Sequence, residues 1–154
     1  MLRIPTLAIA ALLAAAGPAG ATGTGTATGT LQLKGAVFKN CSIAIQEAAA
    51  TLDIVGGETA RQVATVSERC NSKLGYEITI VSSNSGVMRA DGATAAYTLV
   101  YDGQVRSLGT PWTITRGDRS NKATTAVVGV TLPSTPNAVA GTYTDTVTIQ
   151  IAPK

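Results

Sequence analysis

Cys41 and Cys70 are the two cysteines of this chain, and there is no histidine, so few residue types remain that could do chemistry. A thiol nucleophile would lack its imidazole base, and a zinc site would lack both histidine and Cys-x-x-Cys spacing. In an exported chain an even pair reads instead as a disulfide, whose closed loop would stabilise the fold by roughly 3–4 kcal/mol. A serine triad fails for want of the same base, and no pair of carboxylates recurs at a spacing that brings two acids onto one face. Ser72-Lys73 reads as a polar turn after Cys70 rather than as a Ser–Lys dyad. No glycine-rich stretch opens a helix to cradle phosphate. Arg116-Gly117-Asp118 matches an integrin tripeptide by letter and a turn by composition, and Asn40-Cys41-Ser42 fits the glycan-acceptor pattern in form alone. No catalytic residue, metal or cofactor is expected, and the chain does not read as an enzyme.

The elements that would carry these residues are strands. Over residues 142–151, Tyr143, Val147, Ile149 and Ile151 share one parity and Thr142, Thr144, Thr146, Thr148 and Gln150 the other, the pattern of a half-buried strand. Asp145 interrupts the apolar phase, so the strand should reach the core only after it, with the carboxylate accepting turn N–H groups. Leu31, Leu33 and Val37 alternate with polar residues around Gly35; residues 42–45, 52–55 and 63–67 are short extended pieces. Leu74, Tyr76, Ile78 and Ile80 alternate again, 96–101 runs into Asp102-Gly103 as a hairpin signal, Trp112 and Ile114 follow Pro111, and 124–132 is rich in valine. Pro153 should end the last ladder, since it has no N–H to give. Residues 45–52 hold the one run of helix formers, too short to stand alone. Roughly eight or nine short strands with a turn about every ten residues predict an all-β sandwich. Phe38, Tyr76, Tyr97, Tyr101, Trp112 and Tyr143 are expected as core or rim packing.

Of 154 residues, 45% are hydrophobic and 14% charged, with a formal net charge of +3. Charges of both signs are interspersed, which leaves no footprint for nucleic acid. Arg3, the apolar run 7–16 and Ala19-Gly20-Ala21 make residues 1–21 a secretory signal peptide, too short to span a membrane. Residues 22–30 form a flexible Gly/Thr-rich extension, and residues 31–154 form the globular domain. No transmembrane segment is expected in the mature chain.

Taken together, several segments resemble the spore coat protein U domain, a family that includes the Csu-type pilins of archaic chaperone–usher fimbriae. They are residues 29–34 leading to Cys41, Leu52-Asp53-Ile54-Val55-Gly56, Cys70, residues 97–101, Trp112, residues 128–133 and the closing Gly141-Thr142-Tyr143-Thr144-Asp145-Thr146. The resemblance covers nearly all of the mature chain. It implies an immunoglobulin-like sandwich lacking one strand, completed first by a periplasmic chaperone and then by the N-terminal segment of the next subunit. Such a strand satisfies a sheet edge with main-chain hydrogen bonds while alternate side chains fill the core, and head-to-tail use of one groove and one tail builds a filament. The implied donor is 27–37 with Leu31, Leu33 and Val37 as plugs, or the weaker tract 22–30 if 31–37 is the subunit's own first strand. Tyr143, Val147, Ile149 and Ile151 would line the groove. The expected function is a structural subunit of a surface fimbria or coat, passing through the periplasm to the cell surface. Its partners would be other subunits, a chaperone and an outer-membrane usher. The alternative is a self-complete secreted sandwich that binds a carbohydrate or protein through loops near Trp112, Tyr101 and Arg116.

Overall fold

The computed structural model describes residues 25–48 and 51–154. The signal peptide expected over 1–21 lies outside the described residues, as do residues 22–24 of the Gly/Thr tract. The chain divides into residues 1–35 and residues 36–154. In the first unit, the described residues 25–35 form neither helix nor strand, and Leu31 and Leu33 are exposed.

The second unit is all-β. Its strands are β1 (Cys41–Glu47), β2 (Glu58–Cys70), β3 (Tyr76–Ser82), β4 (Val87–Ala90), β5 (Ala93–Ala96), β6 (Thr98–Tyr101), β7 (Gln104–Ser107), β8 (Trp112–Arg116), β9 (Thr124–Leu132) and β10 (Val147–Pro153). A five-stranded sheet runs β1-β2-β9-β6-β7, a three-stranded sheet runs β10-β3-β8, and β4-β5 is a separate hairpin. Every pairing is antiparallel. The two larger sheets enclose one core in an immunoglobulin-like, sandwich-like arrangement. Val66, Ala126, Val128 and Leu99 face it from the first sheet, and Tyr76, Ile78, Ile80, Trp112 and Ile114 from the second. Each set recurs at every second position, because successive side chains point to opposite faces of a strand.

Pairing fixes the direction of the long axis. Cys41 lies opposite Cys70 in the β1–β2 ladder and is bonded to it as expected. At the same end lie the start of β3 and the ends of β8 and β10, since Tyr76 pairs with both Arg116 and Pro153. Glu58 pairs with Leu132 and Val147 with Ser82 at the opposite end.

Several sequence expectations shift. The last strand starts at Val147, after Asp145 as expected, while Thr144 makes an isolated bridge to Arg89. It also takes in Pro153, which an outer strand tolerates because the position that lacks an N–H can face the strand's free side. Residues 52–55 run into a turn rather than a strand: Asp53 accepts the Gly56 N–H at 2.8 Å and its carbonyl accepts the Gly57 N–H at 3.0 Å. Residues 45–47, expected among helix formers, are the end of β1. Leu74 stands exposed in a loop because Gly75, at φ 85°, turns the chain before β3 begins. The segment 96–101 splits at Tyr97, whose backbone N–H bonds the Gly86 carbonyl at 3.0 Å and leaves the sheet ladder. The Asp102-Gly103 hairpin signal holds, joining β6 to β7 with both residues at positive φ.

Candidate functional site: a groove between two sheet edges

Among the described residues, β1 pairs only with β2 and β10 only with β3, so each leaves one edge of main-chain donors and acceptors free. The two edges face each other across the core's opening. Ile43, Val147, Ile149 and Ile151 are half-buried there, and Ile45 is 46% exposed despite its inward register. Between the edges lies a groove of about 320 Å³, floored by Val63, Met88, Tyr97, Leu99, Val128 and Val130 and walled by Ile45, Val147 and Ile149. Glu47, Ala48 and Asp145 also line it, at the end where β1 stops and β10 starts.

Asp145 is the polar anchor of that end. Its Oδ2 accepts from Ser82 Oγ at 2.5 Å and Tyr97 Oη at 2.6 Å, and its Oδ1 accepts from the N–H groups of Asn84 at 3.1 Å and Thr146 at 2.7 Å. Burial, reinforced by the bond to Asp145, pushes the Tyr97 phenol well above its ordinary pKa, so it stays a neutral donor and holds the groove floor in place. The turn-capping role expected of Asp145 is present, and the tyrosine and serine hydroxyls add to it.

The opposite end is shut. Glu68, wholly buried, accepts from Tyr76 Oη at 2.8 Å, Tyr101 Oη at 2.7 Å and Arg116 at 3.2 and 3.3 Å. The Arg116 guanidinium also pairs with Asp102 at 2.9 Å. Burial first, then the bond to Glu68, raises the Tyr76 pKa to about 12 and that of Tyr101 further in the same direction. Burial alone would lower the pKa of Arg116, but Glu68 and Asp102 outweigh it and leave it raised. This cluster joins β2, β6, β3 and β8, and so ties one sheet to the other. Nearby, Ser72 Oγ donates to the Lys154 carbonyl at 2.6 Å and the Lys154 N–H to the Gly75 carbonyl at 3.0 Å.

Of the residues expected to line a groove, Val147 and Ile149 do so; Ile151 packs against the core further along, and Tyr143 donates its hydroxyl to the Val139 carbonyl at 2.9 Å. Leu31, Leu33, Val37 and also Phe38, which was expected as core or rim packing, are exposed and outside any strand. Tyr101 and Trp112 are buried edge to face, with centroids 6.4 Å apart, and present no ring to a ligand. Arg116, the third of that set and the first letter of the Arg-Gly-Asp tripeptide, is spent on Glu68 and Asp102.

Tyr97, expected as core or rim packing, is buried, whereas Glu68 and Met88 were not singled out from the sequence. Glu68 did carry a signal: it stands in the inward phase of Ala64, Val66 and Cys70, as Arg116 stands in that of Trp112 and Ile114. Two opposite charges in inward registers of different strands point to a buried pair. Among the described residues no cluster of acidic or thiol groups could hold a metal, and no helix is long and apolar enough to cross a membrane. Models of known protein families do not match this chain, and no curated protein matches it in sequence.

Proposed function

We propose that this chain is a structural subunit of a surface fimbria or coat, assembled by donor-strand complementation through a periplasmic chaperone and an outer-membrane usher. The observation that carries this reading is the apolar groove between the free edges of β1 and β10. A strand laid there would meet unpaired main-chain groups on both sides and drop alternate side chains onto Met88, Tyr97 and Leu99. The segment 27–37 has the matching chemistry. Leu31, Leu33 and Val37 share one face, and each would gain roughly 1.5–3 kcal/mol on full burial. The Cys41–Cys70 disulfide is consistent with the oxidising route such a subunit would take.

The test is size-exclusion chromatography with light scattering on the exported protein, with and without a synthetic peptide of residues 27–37. Oligomers that the peptide converts to a stable monomer support the reading. A stable monomer indifferent to the peptide refutes it and leaves a self-complete sandwich.

A further inference from the structure

We propose that successive subunits meet pole to pole, the basic end of one domain seated against the acidic, groove-bearing end of a second copy; this rests on the donor-strand reading above. The two ends of the sandwich differ in charge. At the end where β1 begins and β2 stops, Lys39, Arg69, Lys73, Arg119 and Lys122 are all exposed, with Asp118 among them. The other acids of that end are engaged: Glu68 and Asp102 by Arg116, and Glu77 by Lys154 at 3.9 Å. At the groove end the balance reverses, with Glu47, Asp53, Glu58, Asp91 and Asp145 against Arg61, Arg89 and Arg106, the last level with Arg61 across the sheet.

Chain connectivity brings these ends together. The donor segment is continuous with β1, so it leaves its own domain beside Lys39 and Cys41, at the basic pole. The groove it would fill lies at the Glu47 and Asp145 end of its neighbour. With Val37 seated at that mouth, residues 38–40 are all that separates it from Cys41, a span of at most about 14 Å even when fully extended. At physiological ionic strength the Debye length is about 8 Å, so poles held apart by the full span of about 14 Å would be largely screened, and they act on each other where residues 38–40 are less than fully extended or the salt is lower. Opposite poles would speed the encounter and orient the incoming subunit before the slower zipping of the strand. A contact between like poles is disfavoured by the same charges.

The experiment follows elongation by light scattering, using exported protein at about 50 mM and about 500 mM salt. We expect elongation to be about tenfold faster at the lower salt. The variant K73E/R119E/K122E should lose that advantage, and mixing it with a second variant, E47K/D91K, should restore alternating growth. The 27–37 peptide should still stabilise K73E/R119E/K122E as it does the wild type, since none of those side chains lines the groove. Elongation by K73E/R119E/K122E as fast as wild type at low salt, with the peptide still binding, overturns the polar contact alone. A peptide that stabilises neither protein overturns the groove reading and this inference with it.

Discussion

Replacing Glu68 with leucine tests whether the polar cluster or the apolar core holds the two sheets together. The substitution keeps side-chain volume but strands three donors that now meet a carboxylate: the hydroxyls of Tyr76 and Tyr101 and the guanidinium of Arg116. Each hydroxyl left without a partner costs about 1–3 kcal/mol. Removing one member of a buried ion pair costs about 3–5 kcal/mol, because the other charge stays behind. Asp102 keeps part of the Arg116 charge paired, and the apolar leucine recovers some burial. After these offsets the net loss should still be at least about 3 kcal/mol, a large share of a domain stability of about 5–15 kcal/mol. Urea denaturation of the oxidised protein, followed by tryptophan fluorescence from Trp112, reads this as a lower midpoint with an unchanged slope. The double variant E68L/R116M removes both charges at once and should be more stable than E68L alone. An E68L midpoint within about 1 kcal/mol of wild type, or a double variant less stable than E68L, would show that the cluster is incidental to the sandwich.

The remaining expectations concern pH, the disulfide and one glycine. Because burial and Glu68 raise the folded-state pKa of Tyr76 from 10.0 to about 12, its contribution is complete below pH 10 and disappears as pH rises towards 12. Stability should be flat through neutrality and fall in that alkaline window, more gently in Tyr76→Phe, as measured by urea midpoints against pH. Reducing the Cys41–Cys70 bond, which closes a separation of 29 residues, should cost about 3–4 kcal/mol in the same assay. An equal midpoint in dithiothreitol would contradict this. At Gly75 a Cβ would run into the backbone of Arg116 and Gly117, whereas at Gly92, with the same φ of 85°, it would meet open space. Gly75→Ala should therefore lose at least about 2 kcal/mol and Gly92→Ala about 1 kcal/mol. Equal losses would mean that the close approach at Gly75 relaxes freely.

Alternation was the legible part of this sequence. Wherever a strand packs one face on the core and leaves the other in water, the period of two is written in side chains, as in 76–82, 124–132 and 147–151. The disulfide was legible for a different reason, since an even cysteine pair in a chain expected to be exported has few other uses. The β4–β5 hairpin was not visible, because Ala90, Ala93, Ala95 and Ala96 carry too little apolar contrast to show a period. Leu52 and Ile54 misled for the opposite reason: apolar residues can face the core from a turn when Asp53 supplies the capping oxygen. The groove itself was only half legible. Its wall is local, in the parity of Val147 and Ile149, but its floor combines Val63, Met88, Tyr97, Leu99 and Val128 from four separate segments, which no local pattern joins.

That floor explains how such a fold tolerates an opening in its core. At the closed end, covalent and charge-assisted links coincide: the Cys41–Cys70 bond, the Glu68 cluster and the Ser72–Lys154–Gly75 bonds all lie near the ends of β2, β8 and β10. Of these, the Glu68 cluster bonds one sheet to the other, while the disulfide holds β1 to β2 and the Lys154 bonds hold the end of β10 beside β3, all without a strand between β1 and β10. At the open end, the Asp145 cluster orients Tyr97 and the start of β10, while Ile45 and the half-buried Ile149 keep apolar surface in contact with water. Stability is thus concentrated away from the groove, and the apolar surface left unburied is concentrated within it. An added strand would gain its binding free energy where the fold has left it unused, without having to displace any contact that keeps the sheets together.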